Sequence, residues 1–337
     1  MSVFIGKNIL YIAHSLDETA SAFAKTPEEI RGLLEDARKK LSAVRGKRPR
    51  PHLDDKVITG WNGLMISAFA RGYQVLDEPR YLEAARSAAQ FIMSKLYNKE
   101  SQTLFRRYRD GESRFEGTLQ DYAFLVTGLL DLYEASFDIH WLEDAIVLTK
   151  KQNEIFWDPR DGGFFDISGH DKSILIRTKE DYDGAEPTGN SVAALNLFRL
   201  SQITDNKGWR TMAEKTITVF GEHLKQLPEG LPQMLVALDW NRSTPAEIII
   251  AGKPAGADTK ELLKVIHSHF KPDKIILLLD TGDGQKKLQS ILPFVKEMRM
   301  IDHKATAYVC ENYACQLPTS EGAMLAQLLT TKAIRHK

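Results

Sequence analysis

Tyr81-Leu82-Glu83-Ala84-Ala85 returns sixty residues later as Trp141-Leu142-Glu143-Asp144-Ala145. Around this pair the same period recurs. Leu104-Phe105 returns as Phe164-Phe165, and Leu64-Met65-Ile66 as Phe124-Leu125-Val126, then as Val192-Ala193-Ala194 ahead of Trp209. A repeat of this length over helical patterning denotes stacked helical hairpins. Equivalent positions of successive repeats then meet at one end of the array. The register aligns Trp61, Asp121 and Gly189, and beside them Asn62, Tyr122 and Asn190, all at the starts of helices.

Two kinds of helix alternate. Residues 57–75 carry a wide apolar face, and 119–133 and 192–200 are apolar nearly all round, so they need cover on every side. Segments at 79–97, 140–156 and 207–225 each have one charged face. Buried helices alternating with amphipathic ones make two concentric layers, the logic of an (α/α) toroid. Upstream, Thr26-Pro27-Glu28-Glu29 opens a further helix that runs to Gly46. The run Arg45-Gly46-Lys47-Arg48-Pro49-Arg50-Pro51 reads as a solvated connector more readily than as a phosphate site. The connectors 98–116 and 157–187 carry the strand-like pairs 103–106 and 163–166, and loops of this length usually serve function.

From Pro245 the pattern switches to unbroken apolar runs at 247–252 and 274–280, as in buried parallel strands. Helices at 259–270, 285–298 and 321–334 and a strand at 305–310 complete the unit. The expected architecture is mainly α. It comprises an N-terminal extension (1–26), a partial (α/α)6-type toroid of helical hairpins (27–240), and a small α/β three-stranded parallel unit (245–337). Gly252-Lys253-Pro254-Ala255-Gly256 matches neither a dinucleotide fingerprint nor a Walker loop.

Formal charge is zero, with 45 basic and 45 acidic residues, so no pull toward nucleic acid or a membrane surface is implied. No apolar run is long enough to span a bilayer. Two cysteines suit a reducing compartment, and a cytoplasmic location is expected. Cys310 and Cys315 read as a pair of thiols, since their spacing does not make a zinc site. No metal or cofactor is expected.

The loops ahead of the inner helices gather the chemistry. His52, Asp54, Asp55 and Lys56 lie in one, Glu116 and Gln120 in the next, and Tyr182, Asp183 and Glu186 in the third. Paired carboxylates suit acid/base work on a glycosidic bond, a histidine suits proton transfer near neutral pH, and Trp61 and Tyr122 can stack on a sugar. His52, Asp55, Asp121 and Glu186 are the candidate catalytic groups. Asp54, Lys56, Trp61, Asn62, Tyr122, Asp183 and Asn190 are candidates for substrate binding. Structural roles compete with these. Thr118-x-x-Asp121 is also a capping box and Thr188 an N-cap, Trp61 lies on a core face, and His52 and His170 are loop residues.

Residues 48–56, 60–65, Asp183-Gly184-Ala185-Glu186-Pro187-Thr188-Gly189-Asn190-Ser191 and Ala305-Thr306-Ala307-Tyr308-Val309-Cys310 resemble hallmarks of the spermatogenesis-associated, thioredoxin-domain-containing proteins. That resemblance implies a six-hairpin toroid like those of N-acylglucosamine 2-epimerase and related sugar enzymes, behind a thioredoxin-like domain. This sequence has no Cys-x-x-Cys and too few helices for a closed toroid. It is therefore expected to be the C-terminal part of a longer protein. Two functions compete. One is a carbohydrate-binding or carbohydrate-modifying domain (epimerase, isomerase or glycosidase), with weak activity on its own. The other is a non-catalytic half-toroid that pairs with itself or with a partner chain through inner helices left uncovered. Ile9, Leu10, Tyr11, Ile12 and Phe23 are an alternative cover for that face.

Overall fold

The computed structural model describes residues 11–330 apart from 172, 281 and 313. The chain divides into two compact units between Asp55 and Lys56. The first holds helices α1 (Leu16–Ala22) and α2 (Pro27–Gly46). Each opens on a complete capping box, Ser15 with Glu18 and Thr26 with Glu29, which satisfies amide groups that a helix start leaves unpaired. The α2 boundaries are those the sequence predicts. Ile9 and Leu10 lie outside the described residues, whereas Tyr11, Ile12 and Phe23 are exposed.

In the second unit β1 (Val57–Ile58) leads into three helical hairpins. The first is α3 (Thr59–Leu76) with α4 (Pro79–Lys95), followed by β2 (Tyr97–Asn98), β3 (Thr103–Arg109) and β4 (Glu112–Glu116). The second is α5 (Leu119–Ser136) with α6 (Ile139–Phe156). The third is α7 (Gly189–Thr204) with α8 (Lys207–Val219), after which α9 (Gly221–Gln226) and α10 (Pro232–Arg242) follow. The inner helices α3, α5 and α7 end alike. Asp77, Phe137 and Asp205 each take a left-handed conformation, and the next helix starts two residues on. One connection used three times is the physical form of the sequence repeat.

The inner helices pack side by side in chain order, with α10 beyond α7. α5 is buried on every side, as its composition demands: Leu119, Tyr122, Phe124, Leu125, Leu129, Leu132 and Tyr133 are all at most 1% exposed. α3 and α5 touch backbone to backbone. A Cβ on Gly63 would lie 2.4 Å from the Phe124 carbonyl carbon, and one on Gly128 would lie 2.5 Å from the Gly63 oxygen. α5 and α7, expected to lack cover, are thus covered within the chain, whereas α3 leaves Met65, Val75 and Leu76 exposed. The long connectors also differ from expectation in part. β3 forms a hairpin with β4 and pairs with β1 and β2, whereas among the described residues 163–166 makes the single bridge Trp157–Phe164.

The C-terminal part contains β5 (Ala246–Ala251), α11 (Ala257–Ser268), β6 (Lys274–Leu279), α12 (Asp283–Ile291), β7 (Thr306–Glu311), β8 (Ala314–Cys315) and α13 (Gly322–Thr330). The sheet order is β6-β5-β7-β8. β5 and β6 are parallel, as expected, but β7 runs antiparallel to β5, so the three-stranded parallel unit becomes a four-stranded mixed sheet. After α12 the chain returns to the end of β5, where Asp258 accepts a 2.7 Å bond from the Ala305 amide and Thr306 pairs with Ala251. Apolar patterning carries no strand direction. Along β5 the side chains alternate: Ile249 and Ala251 join the helical core, while Ala246, Ile248 and Ile250 pack in a second core with α11 and α13. Cys310 and Cys315, expected as thiols, form a disulfide across β7 and β8, because strand pairing sets them directly opposite. The architecture is a partial (α/α) toroid of helical hairpins followed by a small α/β unit.

Candidate functional site

The starts of α3, α5 and α7 lie at one end of the helical layer, bordered by the β3–β4 hairpin and the long segment 157–188. Thr118 and Thr188 are the equivalent N-caps, so Asp121 corresponds to Ser191, not to Gly189 as the repeat predicts. α7 has 16 residues where α3 and α5 have 18. The sequence register therefore holds at the helix ends and slips by two at their starts.

Asp121 is the structural hub of this end. One carboxylate oxygen accepts from the Gly60 amide at 3.0 Å. The other accepts from the Thr118 amide (2.9 Å), the Thr118 hydroxyl (3.0 Å) and Arg106 Nη1 (3.0 Å). The residue is 1% exposed, and burial raises its carboxyl above the usual range against the pull of Arg106. With four donors on it and no surface, Asp121 ties α3, α5 and β3 together and does not face a ligand. Tyr122 is likewise a core residue. Its ring packs edge-on against Phe156, and its hydroxyl accepts from the Leu104 amide at 2.9 Å. Asn190 closes a two-bond ring with the Phe164 backbone, 2.8 Å each way. Asp183, 8% exposed, accepts from the Thr188 amide (2.7 Å) and the Gln233 amide (2.8 Å), which seats α10 against the segment. Expected to bind substrate, Tyr122, Asp183 and Asn190 instead hold backbone in place. Asn62 donates to the Ile58 carbonyl at 2.8 Å.

What reaches the surface is different. Trp61 is 58% exposed, and its indole Nε1 donates to Glu186 at 2.8 Å. This bond joins the start of the first hairpin to the segment before the third and fixes the indole plane. Gln120 donates to Glu180 at 3.0 Å. Burial raises the Glu180 carboxyl, and Asp166, Glu186, Asp183 and Asp181 raise it further by repulsion. Asp166, raised by burial, accepts from the Thr178 hydroxyl and the Glu180 amide at 3.0 Å each. Glu116 accepts from Ser168 and from His170 Nδ1. Arg177 and Lys179 lie over the Phe165 ring, and Lys179 binds Asp158 at 2.8 Å, anchoring the segment from beneath. The site-facing roles of Glu180 and Asp166 were not read from the sequence, although both sit in a long connector already marked as functional. Lys56 is exposed just ahead of β1. His52, Asp54 and Asp55 are exposed residues of the first unit, and the site described is drawn from the second unit alone. Among the described residues, no three histidine, cysteine or acidic side chains gather to hold a metal ion.

No protein-family model matches the chain. Among solved structures, the chain is similar to two cellobiose 2-epimerases. Cellobiose 2-epimerase from Bacillus thermoamylovorans covers 79% of this chain and 67% of its own length, with 12% identity and a TM-score of 0.45. The cellobiose 2-epimerase of Spirochaeta thermophila covers 50% of this chain and 44% of its own, with 21% identity and a TM-score of 0.42. In sequence, the chain is similar to spermatogenesis-associated protein 20. It is 39% identical to the human protein over 333 residues, which is 96% of this chain and 42% of that protein. An uncharacterised Caenorhabditis elegans protein is 29% identical over 329 residues, 96% of this chain and 44% of its own length. The chain thus spans less than half the length of these relatives.

Proposed function

We propose that the end of the helical layer around Trp61 binds a carbohydrate, with Glu186 and Glu180 supplying acid/base groups. The observation that carries this reading is the Trp61–Glu186 pair. An exposed indole whose orientation is fixed by a carboxylate is a rigid apolar face beside a hydrogen-bonding group, and sugars present both an apolar ring face and hydroxyls. The raised Glu180 carboxyl beside it suits proton transfer nearer neutral pH than an ordinary glutamate does. The reaction class would be epimerisation, isomerisation or glycoside hydrolysis. Incubating the chain with mono- and disaccharides in D2O and following proton spectra separates these. Deuterium entering the carbon next to the carbonyl marks proton abstraction, and new reducing ends mark hydrolysis. The expected signal is slow, and Glu180→Gln and Glu186→Gln should reduce it at least tenfold. Wild-type signal in both variants would remove these carboxylates from the reading.

A non-catalytic interaction module is the second reading. It rests on α2, where Leu33, Leu34, Leu41 and Val44 are each more than half exposed along one helical face. Light scattering over a dilution series tests it. Concentration-dependent mass that Leu34→Glu abolishes supports a self-pairing surface, and a monomer at high micromolar concentration argues against self-pairing.

A further inference from the structure

A polar cleft lies away from the Trp61 end, where the end of α7 and the start of α8 meet the start of β5. Its volume is about 110 Å³, and Gln202, Asp205, Lys207, Arg210, Ser243 and Glu247 are among the residues that line it. This is well below the roughly 300–1,000 Å³ of pockets that enclose drug-sized ligands, so it suits a molecule of only a few heavy atoms.

Glu247 makes this cleft unusual. It occupies a β5 position of the same parity as Ile249 and Ala251, whose side chains join the helical core. It is 5% exposed, and no described residue gives its Oε2 a hydrogen bond. Gln202, within reach of the carboxyl, also donates to the Pro245 carbonyl at 3.2 Å. Burying a carboxyl with one oxygen unmatched is costly, and an apolar residue would pack at this position without that cost. A donor entering from the cleft would offset that cost. Lys207 and Arg210 also line this cleft. Arg210 is oriented by Glu214 at 3.1 Å and Asn241 at 3.0 Å. The lining thus holds one buried carboxyl, Glu247, together with the cations Lys207 and Arg210.

We propose that this cleft binds a small zwitterion of the free α-amino acid class, its ammonium on Glu247 and its carboxylate toward Lys207 and Arg210. An ammonium supplies the charge-assisted donor that Oε2 lacks, and a compact zwitterion carries both complementary charges within the volume. The cleft is independent of the carbohydrate reading.

Titration calorimetry on the whole chain tests it, with glycine, L-alanine and L-serine as probes, ethylamine as the ammonium-only arm and propionate as the acid-only arm. Saturable binding of at least one amino acid is expected, with weaker binding of ethylamine and none of propionate. Glu247→Gln should weaken amino-acid binding about tenfold or more. Lys207→Glu, at an exposed position that leaves the fold intact, should weaken amino-acid binding and spare ethylamine. The proposal is overturned by no saturable binding of any amino acid, by equal binding of ethylamine and glycine, or by amino-acid affinity that neither variant changes.

Discussion

Asp121 and Glu186 looked alike in the sequence, as acidic residues at the start of an inner helix or just before one, and the fold separates them. Asp121 has four donors and no exposure, so Asp121→Ala should cost about 2–3 kcal/mol through the lost cap and the stranded Arg106 bond, read by urea denaturation. Glu186→Gln should change stability by less than about 0.5 kcal/mol, as surface substitutions usually do. The capping box at Thr118 was legible, but propensity could not tell whether its carboxylate also faced outward, because that depends on Arg106 and Gly60 arriving from distant segments. Glu247 left a readable trace, a carboxylate opening an otherwise apolar run. Burial pushes its carboxyl up to about 7, from an ordinary value near 4.5. A raised carboxyl favours the protonated folded state, so its contribution is harmless below about pH 4.5. It becomes destabilising as pH rises toward 7, when the unfolded chain has already lost the proton. Stability should therefore fall by about 3 kcal/mol from this residue between pH 4.5 and 8. Glu247→Gln should remove that slope, measured as urea midpoints across the range. An unchanged slope would mean Glu247 ionises normally.

The hairpin repeat was legible because its cause is local: an apolar inner helix, a left-handed turn residue and a helix start two positions later. Its register was not fully legible, because α7 is shorter than α3 and α5, and a sequence alignment cannot choose which end absorbs the difference. The direction of β7 was hidden for a different reason, since alternation reads the same both ways. The Cys310–Cys315 bond depends on a different pairing, the β7–β8 register that sets the two residues opposite. The α3–α5 contact gives a sharp test of the packing. Gly63→Ala drives a methyl into the Phe124 backbone, which cannot rotate away, and should cost upward of about 3 kcal/mol. Gly32→Ala in α2 meets nothing within 4 Å and should instead stabilise its helix by about 1 kcal/mol. Thermal unfolding followed by circular dichroism distinguishes the two. Equal effects would show that α3 and α5 do not meet at Gly63.

The second unit is continuous from hairpins to sheet, since one face of β5 and β6 belongs to the same core as the inner helices. Its buried ion group makes the same point at greater depth. Asp131 of α5 is bound by Arg71 at 2.9 Å and Arg199 at 2.7 Å, and Arg199 also binds Glu134 at 3.0 Å. These pairs hold α3, α5 and α7 in one relative position. Removing Arg199 would leave two buried carboxylates short of a partner, and Arg199→Met should lower stability by about 3 kcal/mol or more in urea. No helix among the described residues is long and apolar enough to cross a membrane. The end of the helical layer where α3, α5 and α7 start carries the carbohydrate reading, and Trp61 reports on it directly. It is 58% exposed, whereas Trp141, Trp209 and Trp240 are each 7% exposed. Tryptophan emission titrated with mono- and disaccharides should show a saturable change for at least one sugar, absent in Trp61→Phe and weakened in Glu186→Gln. Emission that no sugar alters, or an identical change in Trp61→Phe, would contradict a carbohydrate site at Trp61.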